Sequence, residues 1–189
     1  MTGPRPGPRA RPFVFLDRDG TLVRDTGYPH RPEDYALLPG AVAGALALAR
    51  AGYVLAIATN QSGIGRGRFG LADFERFQGR LAADLAAGGV VLGATLLCPH
   101  APADGCACRK PAPGLLLRAR DELGADLAAS WMVGDGSRDV EAARRAGCRG
   151  AVRVGIAAPA RARAGEDPFA LEARDLAEAA RRILGYGAP

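Results

Sequence analysis

The run Phe13-Val14-Phe15-Leu16 is apolar without alternation and stops on Asp17. A short run of this kind reads as a strand buried on both faces, because a half-exposed strand alternates polar and apolar residues. Similar segments recur at Tyr53–Ala58, Ala94–Leu97, Trp131–Val133 and Ala151–Val154. Helical segments separate them. Residues Pro39 to Arg50 are rich in Ala and Leu, begin on Pro and stop at Gly52, which suits a helix. From Leu71 to Ala87, Phe74, Phe77, Leu81 and Leu85 recur at helical spacing. Further helices are expected over about 113–123 and over Asp139–Ala146, the latter stopped by Gly147. A last one is expected from the Asp167-Pro168 pair to about Leu184, the pair serving as N-cap and first turn.

Strands alternating with helices predict an α/β fold: an open, mostly parallel, Rossmann-like sheet with helices on both faces. Residues 1–12, rich in Pro, Gly and Arg, read as a flexible N-terminal arm, and residues 155–167 as a loop. Residues 13–189 read as one domain, long enough to bury a substantial core. The segment Leu22–Leu38 is too short for a capping domain, so the expected cap is minimal.

Composition excludes several function classes. The chain is 48% hydrophobic and 24% charged over 189 residues, as for a soluble globular protein. No apolar run approaches the roughly 20 residues of a membrane span. The opening residues carry no hydrophobic leader, so a cytoplasmic location is expected. The net charge of +5 owes much to Arg5, Arg9, Arg11, Arg161 and Arg163, which sit on segments read as flexible. What remains is scattered, so neither a nucleic-acid nor a membrane partner is expected. The chain is expected to act as a monomer.

Open sheets of this kind bind ligands beyond the carboxyl ends of their strands. Three chemically loaded segments begin at such ends: Asp17, Thr59 and Asp135. Asp17-Arg-Asp19-Gly20-Thr21 puts two carboxylates two residues apart, and Gly20 permits the turn that would bring both over one site. One carboxylate can attack phosphorus while the other protonates the leaving oxygen. Thr59-Asn60-Gln61-Ser62-Gly63 offers a hydroxyl and loop amides for a phosphoryl oxygen. Lys110, the only lysine against 24 arginines, offers a compact charge for another. Asp135 and Asp139 supply an acid pair suited to Mg²⁺, which prefers oxygen ligands. Positioning and charge neutralisation are the main requirements of phosphoryl transfer.

The cysteines point to a second metal. Cys98, His100, Cys106 and Cys108 place three thiolates and one imidazole within eleven residues. That set closes a tetrahedral zinc site with no position left for water, hence structural rather than catalytic. It would pin the loop 98–110, which ends on Arg109 and Lys110. Cys148 stands apart and reads as a small buried residue.

Taken in order, these segments resemble the haloacid dehalogenase (HAD) superfamily in its phosphatase form over almost all of residues 13–154. The resemblance implies Asp17 as nucleophile, Asp19 as acid and base, and Thr59 and Lys110 as stabilisers of the phosphoryl group. It also implies Mg²⁺ held by Asp17, Asp135 and the Asp19 backbone carbonyl. The run Cys-Pro-His…Cys-x-Cys-Arg-Lys-Pro is similar to a narrower group, the heptose bisphosphate 7-phosphatases and the histidinol-phosphate phosphatases. Asp25-Thr-Gly-Tyr28-Pro-His30, Leu38-Pro39-Gly40 and Asn60-Gln61-Ser62-Gly63 favour the heptose enzymes. The short stretch between His100 and Cys106 is closer to the histidinol enzymes, and Gly136 stands where heptose enzymes often have Lys or Ser. By resemblance, Asp25, Thr26, Gly27, Tyr28, Asn60, Gln61, Ser62 and Arg109 contact a small phosphorylated sugar. The expected reaction is removal of the 7-phosphate of a heptose bisphosphate, with histidinol phosphate or another small phosphate ester as the alternative substrate. A zinc-stabilised binding module without turnover is the non-enzyme alternative.

Overall fold

The computed structural model describes residues 10–157 and 169–187. Residues 1–9 of the expected arm, residues 158–167 of the expected loop and the Asp167-Pro168 pair lie outside them. Among the described residues six strands form one sheet: β1 (Arg11–Leu16), β2 (Val54–Asn60), β3 (Leu92–Cys98), β4 (Ala125–Gly134), β5 (Gly150–Arg153) and β6 (Ala170–Glu172). Their order is β3-β2-β1-β4-β5-β6 and every pairing is parallel. The helices are α1 (Ala41–Arg50), α2 (Ser62–Gly65), α3 (Leu71–Ala87), α4 (Gly114–Leu123), α5 (Ser137–Ala146) and α6 (Leu176–Gly185).

The apolar runs behave as their lack of alternation requires. In β1, Val14 and Leu16 point to one face with Leu55 and Ile57 of β2, where α1, α3 and α6 cover them. Phe13 and Phe15 point to the other face, where Leu115, Leu116 and Ala119 of α4 and Ala143 of α5 close over them. Burying a large apolar side chain contributes about 1.5–3 kcal/mol, so β1, buried on both faces for four consecutive residues, anchors the sheet.

Several elements differ from the sequence-based expectation, β6 among them, which stands where the last helix was expected to begin. β1 starts at Arg11, inside the expected arm, because Arg11 and Pro12 pair with Ala125 and Asp126. β4 therefore begins well before Trp131. The β1–β4 register shifts between Pro12 and Val14, and there Ser130 Oγ accepts from the Phe13 N–H at 2.8 Å. The last helix begins at Leu176, after the short strand β6, and not near Pro168. Its N-cap is Asp175, whose Oδ1 accepts from the Glu178 N–H at 2.8 Å.

The excursion between β1 and α1 carries only a 3₁₀ turn, Pro32–Asp34, in agreement with a minimal cap. It folds down onto α3: Tyr35 packs edge-on against Phe77 and donates from its hydroxyl to Asp84 Oδ2 at 2.8 Å. Among the described residues no helix is long and apolar enough to cross a membrane.

Candidate active site

The strand order reverses direction at β1, and the crevice beyond β1 and β4 is where an open sheet of this topology binds ligands. Asp17 stands at the end of β1, its N–H donating to the Val133 carbonyl of β4 at 2.8 Å. Asp17 is buried, and its Oδ1 accepts from the Arg18 N–H at 2.8 Å. Lys110 rises beneath it. Its Nζ lies 3.0 Å from Asp17 Oδ1 and 2.6 Å from Asp139 Oδ1, and donates to the Ala58 carbonyl at 2.6 Å. Burial alone would pull the Lys110 pKa down, but Asp17 and Asp139 outweigh it and hold the ammonium above its ordinary value. The lysine is thus a fixed positive charge under the Asp17 carboxylate.

Asp19 is held by a fork. Arg18 Nε donates to Oδ1 at 2.8 Å and Arg18 Nη2 to Oδ2 at 3.1 Å, while Gln61 Nε2 donates to Oδ2 at 2.8 Å. Burial pushes the Asp19 pKa up although Arg18 and Gln61 act against it. A carboxyl displaced in this direction suits proton donation near neutrality. Gln61 Nε2 also donates to Thr59 Oγ1 at 2.8 Å, joining the hydroxyl at the end of β2 to the Asp19 carboxylate.

Arg18 went without a role in the sequence reading and has one here. It is fully buried, reaches the Pro29 carbonyl at 2.9 Å and Gln61 Oε1 at 3.0 Å, and lies over the Phe77 ring at 4.6 Å. It thereby ties the Asp17–Asp19 turn to the loop of residues 25–30. In that loop Tyr28 adopts a φ of 65°, a left-handed conformation that costs a side-chain-bearing residue about 1–2 kcal/mol. The Arg68 guanidinium covers the Tyr28 ring at 4.7 Å, and His30 stacks on Phe69 at 4.6 Å.

A cavity of about 250 Å³ opens over this floor, lined by Asp17, Asp19, Asp25, Gly27, Tyr28, Asn60, Gln61, Ser62, Arg109 and Arg138. Of the expected substrate contacts, only Thr26 is missing from that lining, and it is exposed on the same loop. Asn60 has a further task. Its Nδ2 donates to the Lys110 carbonyl and its Oδ1 accepts from the Lys110 N–H, both at 3.0 Å, so both polar atoms clamp the peptide that carries the lysine. Arg138, also unassigned from sequence, lines the same cavity with Nη2 at 3.2 Å from Asp135 Oδ1 and 3.7 Å from Asp17 Oδ2.

Two donor sets suit metals. Asp17, Asp135 and Asp139 each offer a carboxylate oxygen within 4.8 Å of one another. Lys110 faces Asp139 Oδ1 and Asp17 Oδ1, while Asp17 Oδ2 and the Asp135 carboxylate lie away from it. Burial, with the charge of Asp17 behind it, pushes the Asp135 pKa up, the mark of acids crowded without enough counter-charge. At Gly20, whose φ is 77°, only glycine fits against Asp135, since a Cβ there would collide with the Asp135 carboxylate. All-oxygen donors of this kind fit Mg²⁺. In the loop after β3, Cys98 Sγ lies 3.7 Å from both Cys106 Sγ and His100 Nδ1. Cys108 Sγ lies 3.4 Å from Cys106 Sγ and 3.2 Å from His100 Nδ1. A tetrahedral zinc with bonds of about 2.3 Å to sulfur puts its ligands about 3.7 Å apart; two of these edges match that spacing and the two to Cys108 are shorter. None of the four cysteines is in a disulfide.

The comparisons with known proteins agree with this geometry. A family model described as "HAD-hyrolase-like" matches residues 107–179. The D-glycero-beta-D-manno-heptose-1,7-bisphosphate 7-phosphatase of Escherichia coli K12 is 42% identical over 153 residues, covering 76% of this chain and 80% of that protein. The protein of the same name from Pseudomonas aeruginosa is 40% identical over 141 residues, 74% of this chain and 79% of its own. The chain belongs to the HAD phosphatases. Among solved structures of this family, the D,D-heptose 1,7-bisphosphate phosphatase of B. bronchiseptica, complexed with magnesium and phosphate, superposes with a TM-score of 0.81. It is 34% identical, with 93% of this chain and 99% of that one covered. A HAD phosphatase is a phosphoric monoester hydrolase, and the buried Asp17–Lys110 floor is arranged for that chemistry.

Proposed function

We propose that this enzyme is a Mg²⁺-dependent phosphatase that removes the 7-phosphate of D-glycero-beta-D-manno-heptose 1,7-bisphosphate through an aspartyl-phosphate on Asp17. The observation that carries the chemistry is the buried Lys110 ammonium under Asp17, with the Asp19 carboxyl and the Thr59 hydroxyl joined through Gln61 beside it. The substrate reading rests on the relatives of that name, each about 40% identical over most of its own length.

In the first half-reaction a carboxylate oxygen of Asp17 attacks phosphorus, and the bond from phosphorus to the sugar oxygen breaks. Asp19, protonated, gives its proton to that oxygen, so it leaves as a neutral hydroxyl on the sugar, which keeps its other phosphate. Asp19, now anionic, takes a proton from the water that attacks the acyl phosphate. Phosphate departs, and the Asp17 carboxylate and the Asp19 acid are restored. Lys110 and the Thr59 hydroxyl hold the phosphoryl oxygens through both halves. Preformed charges in a dry site stabilise developing negative charge at little reorganisation cost. Asp17, Asp135 and the Asp19 carbonyl would hold Mg²⁺, which when bound supplies the charge neutralisation that lets one anion approach another. Cys98, His100, Cys106 and Cys108 would hold structural Zn²⁺, whose contribution is to fix the loop that ends on Arg109 and Lys110.

The loop of residues 25–28, with Gln61, Ser62 and Arg109, would bind the sugar and the phosphate that is not cleaved. The cavity over these residues has few apolar contacts to offer, so charge and hydrogen bonding must carry selectivity. Residues 13–189 would act as one domain, and the chain as a cytoplasmic monomer with no nucleic-acid or membrane partner.

The test is kcat/KM measured side by side on the heptose bisphosphate, histidinol phosphate and generic sugar phosphates, for the unmutated protein and for Asp17→Asn. The heptose bisphosphate should lead the panel, and Asp17→Asn should release phosphate from none of them. A lead for histidinol phosphate would overturn the substrate reading alone. Substantial turnover by Asp17→Asn would overturn the covalent mechanism.

A further inference from the structure

Among the described residues, Arg138 is a basic side chain over the Asp17–Asp135 pair that this mechanism does not use. Its Nη2 lies 3.2 Å from Asp135 Oδ1 and 3.7 Å from Asp17 Oδ2, so one guanidinium faces both carboxylates at once. The charge pairing of the cluster divides cleanly. Lys110 answers Asp139 and the Oδ1 side of Asp17, while Arg138 answers Asp135 and the Oδ2 side of Asp17.

The conformation that brings Arg138 there depends on its neighbour. The side chain folds back across Gly136, and a Cβ at position 136 would meet Arg138 Cγ at 3.3 Å and Cζ at 3.4 Å. Gly136 itself has extended backbone, with φ at −111° and ψ at 154°, which any residue adopts. A side chain there would press on Arg138 and, at 3.4 Å, on Asp139 Oδ2, each by a few tenths of an ångström. The arginine is 46% exposed, free to leave that seat towards the cavity it also lines.

We propose that Arg138 is a resident counter-cation of the Asp17–Asp135 pair, which occupies the approach between the two carboxylates and must be displaced when a divalent cation binds them. This rests on the reading of Asp17 and Asp135 as Mg²⁺ ligands. Two cations that answer the same pair of anions compete. The arginine thus sets the metal affinity of the free enzyme and limits the mutual repulsion of the acids while the metal is away.

Calorimetric titration of Mg²⁺ into the magnesium-free, zinc-loaded full-length protein tests it without any substrate. Arg138→Ala removes the competitor and should bind Mg²⁺ about two- to fivefold more tightly, as expected for loss of one partly exposed ion pair. Gly136→Ala presses on the seated arginine and should shift affinity in the same direction by less. Added salt should narrow the difference between Arg138→Ala and the unmutated protein, because screening weakens the arginine's hold. Equal or weaker Mg²⁺ binding by Arg138→Ala, in a protein whose melting curve remains cooperative, would overturn the proposal. Absence of Mg²⁺ binding in the unmutated protein would instead overturn the ligand assignment on which it rests.

Discussion

The buried contact between Lys110 and Asp139 can be measured by removing each partner and then both. The ammonium and the carboxylate are each about 1% exposed or less and stand 2.6 Å apart. At an effective dielectric of about 20, two unit charges at that distance attract by about 6 kcal/mol before desolvation is set against it. Losing one partner of a buried ion pair costs about 3–5 kcal/mol, chiefly because the other is left in a dry site. Asp139→Ala should fall toward the lower end, about 3 kcal/mol, since Asp17 still faces the lysine at 3.0 Å. For a domain of this size that lowers the melting temperature by about 6–12 °C. Lys110→Met should cost more, because it strands both Asp17 and Asp139. The double variant should be more stable than the sum of the single losses predicts, with a coupling of at least about 1.5 kcal/mol. Chemical denaturation of the four proteins, with and without Mg²⁺, gives the cycle. If the losses simply add, or if Asp139→Ala melts with the unmutated protein, the lysine is not held by this pair and the account of the site floor is wrong.

Other perturbations reach other parts of the site. Cys108→Ser should lose bound zinc and unfold at lower temperature, because a four-ligand zinc site contributes folding energy directly; metal analysis and a melting curve check both. Gln61→Leu removes a donor that favours the Asp19 anion, so the Asp19 pKa should rise further. The protonated form then persists to higher pH, and the alkaline limb of kcat/KM should move up; a limb that stays or moves down contradicts the acid assignment. Arg109→Ala should weaken the use of a bisphosphate more than of a monophosphate, since a charge contact to phosphate is lost; equal losses in kcat/KM would remove Arg109 from recognition of the second phosphate.

The parts of the fold that could be read from sequence are those whose signal is local. β1 and β2 are apolar through both faces and announce themselves. β6 is three residues long, Ala170-Leu171-Glu172, and exists only because β5 offers it an edge. The early part of β4 contains Asp126 and Ser130, polar residues that a buried strand does not invite, yet Ser130 satisfies the Phe13 N–H where the register shifts. The true start of the last helix did carry a signal, Asp175 three residues before Glu178, and the Asp167-Pro168 pair upstream masked it.

The same division runs through the site. Asp17, Asp19, Thr59, Lys110 and Asp135 fall at or just beyond strand ends, or at the end of a cysteine-marked loop, and chain spacing alone suggests them. Arg18 has no such mark. Its partners Pro29, Gln61 and Phe77 are distant in sequence, and an arginine between two acids reads as solvated until the fold closes over it. Asn60 was legible as a cavity residue, but its grip on the Lys110 peptide could not be seen without the loop in place.

That grip has a consequence for engineering. Thr59 and Lys110 come from segments fifty residues apart in the chain, and a single carboxamide next to the threonine fastens the two together at the lysine's peptide. The cysteine-bearing loop is seated at its start by the Gln61 and Gly65 N–H groups, which donate to the Cys98 and Pro99 carbonyls, and Asn60 is the socket for the backbone at its end. A loop of different length or metal preference could be grafted between Cys98 and Pro111 and still present its cation at the right height, provided its end meets the amide of Asn60. A graft that misses that socket would fold around its metal and leave the nucleophile without its lysine.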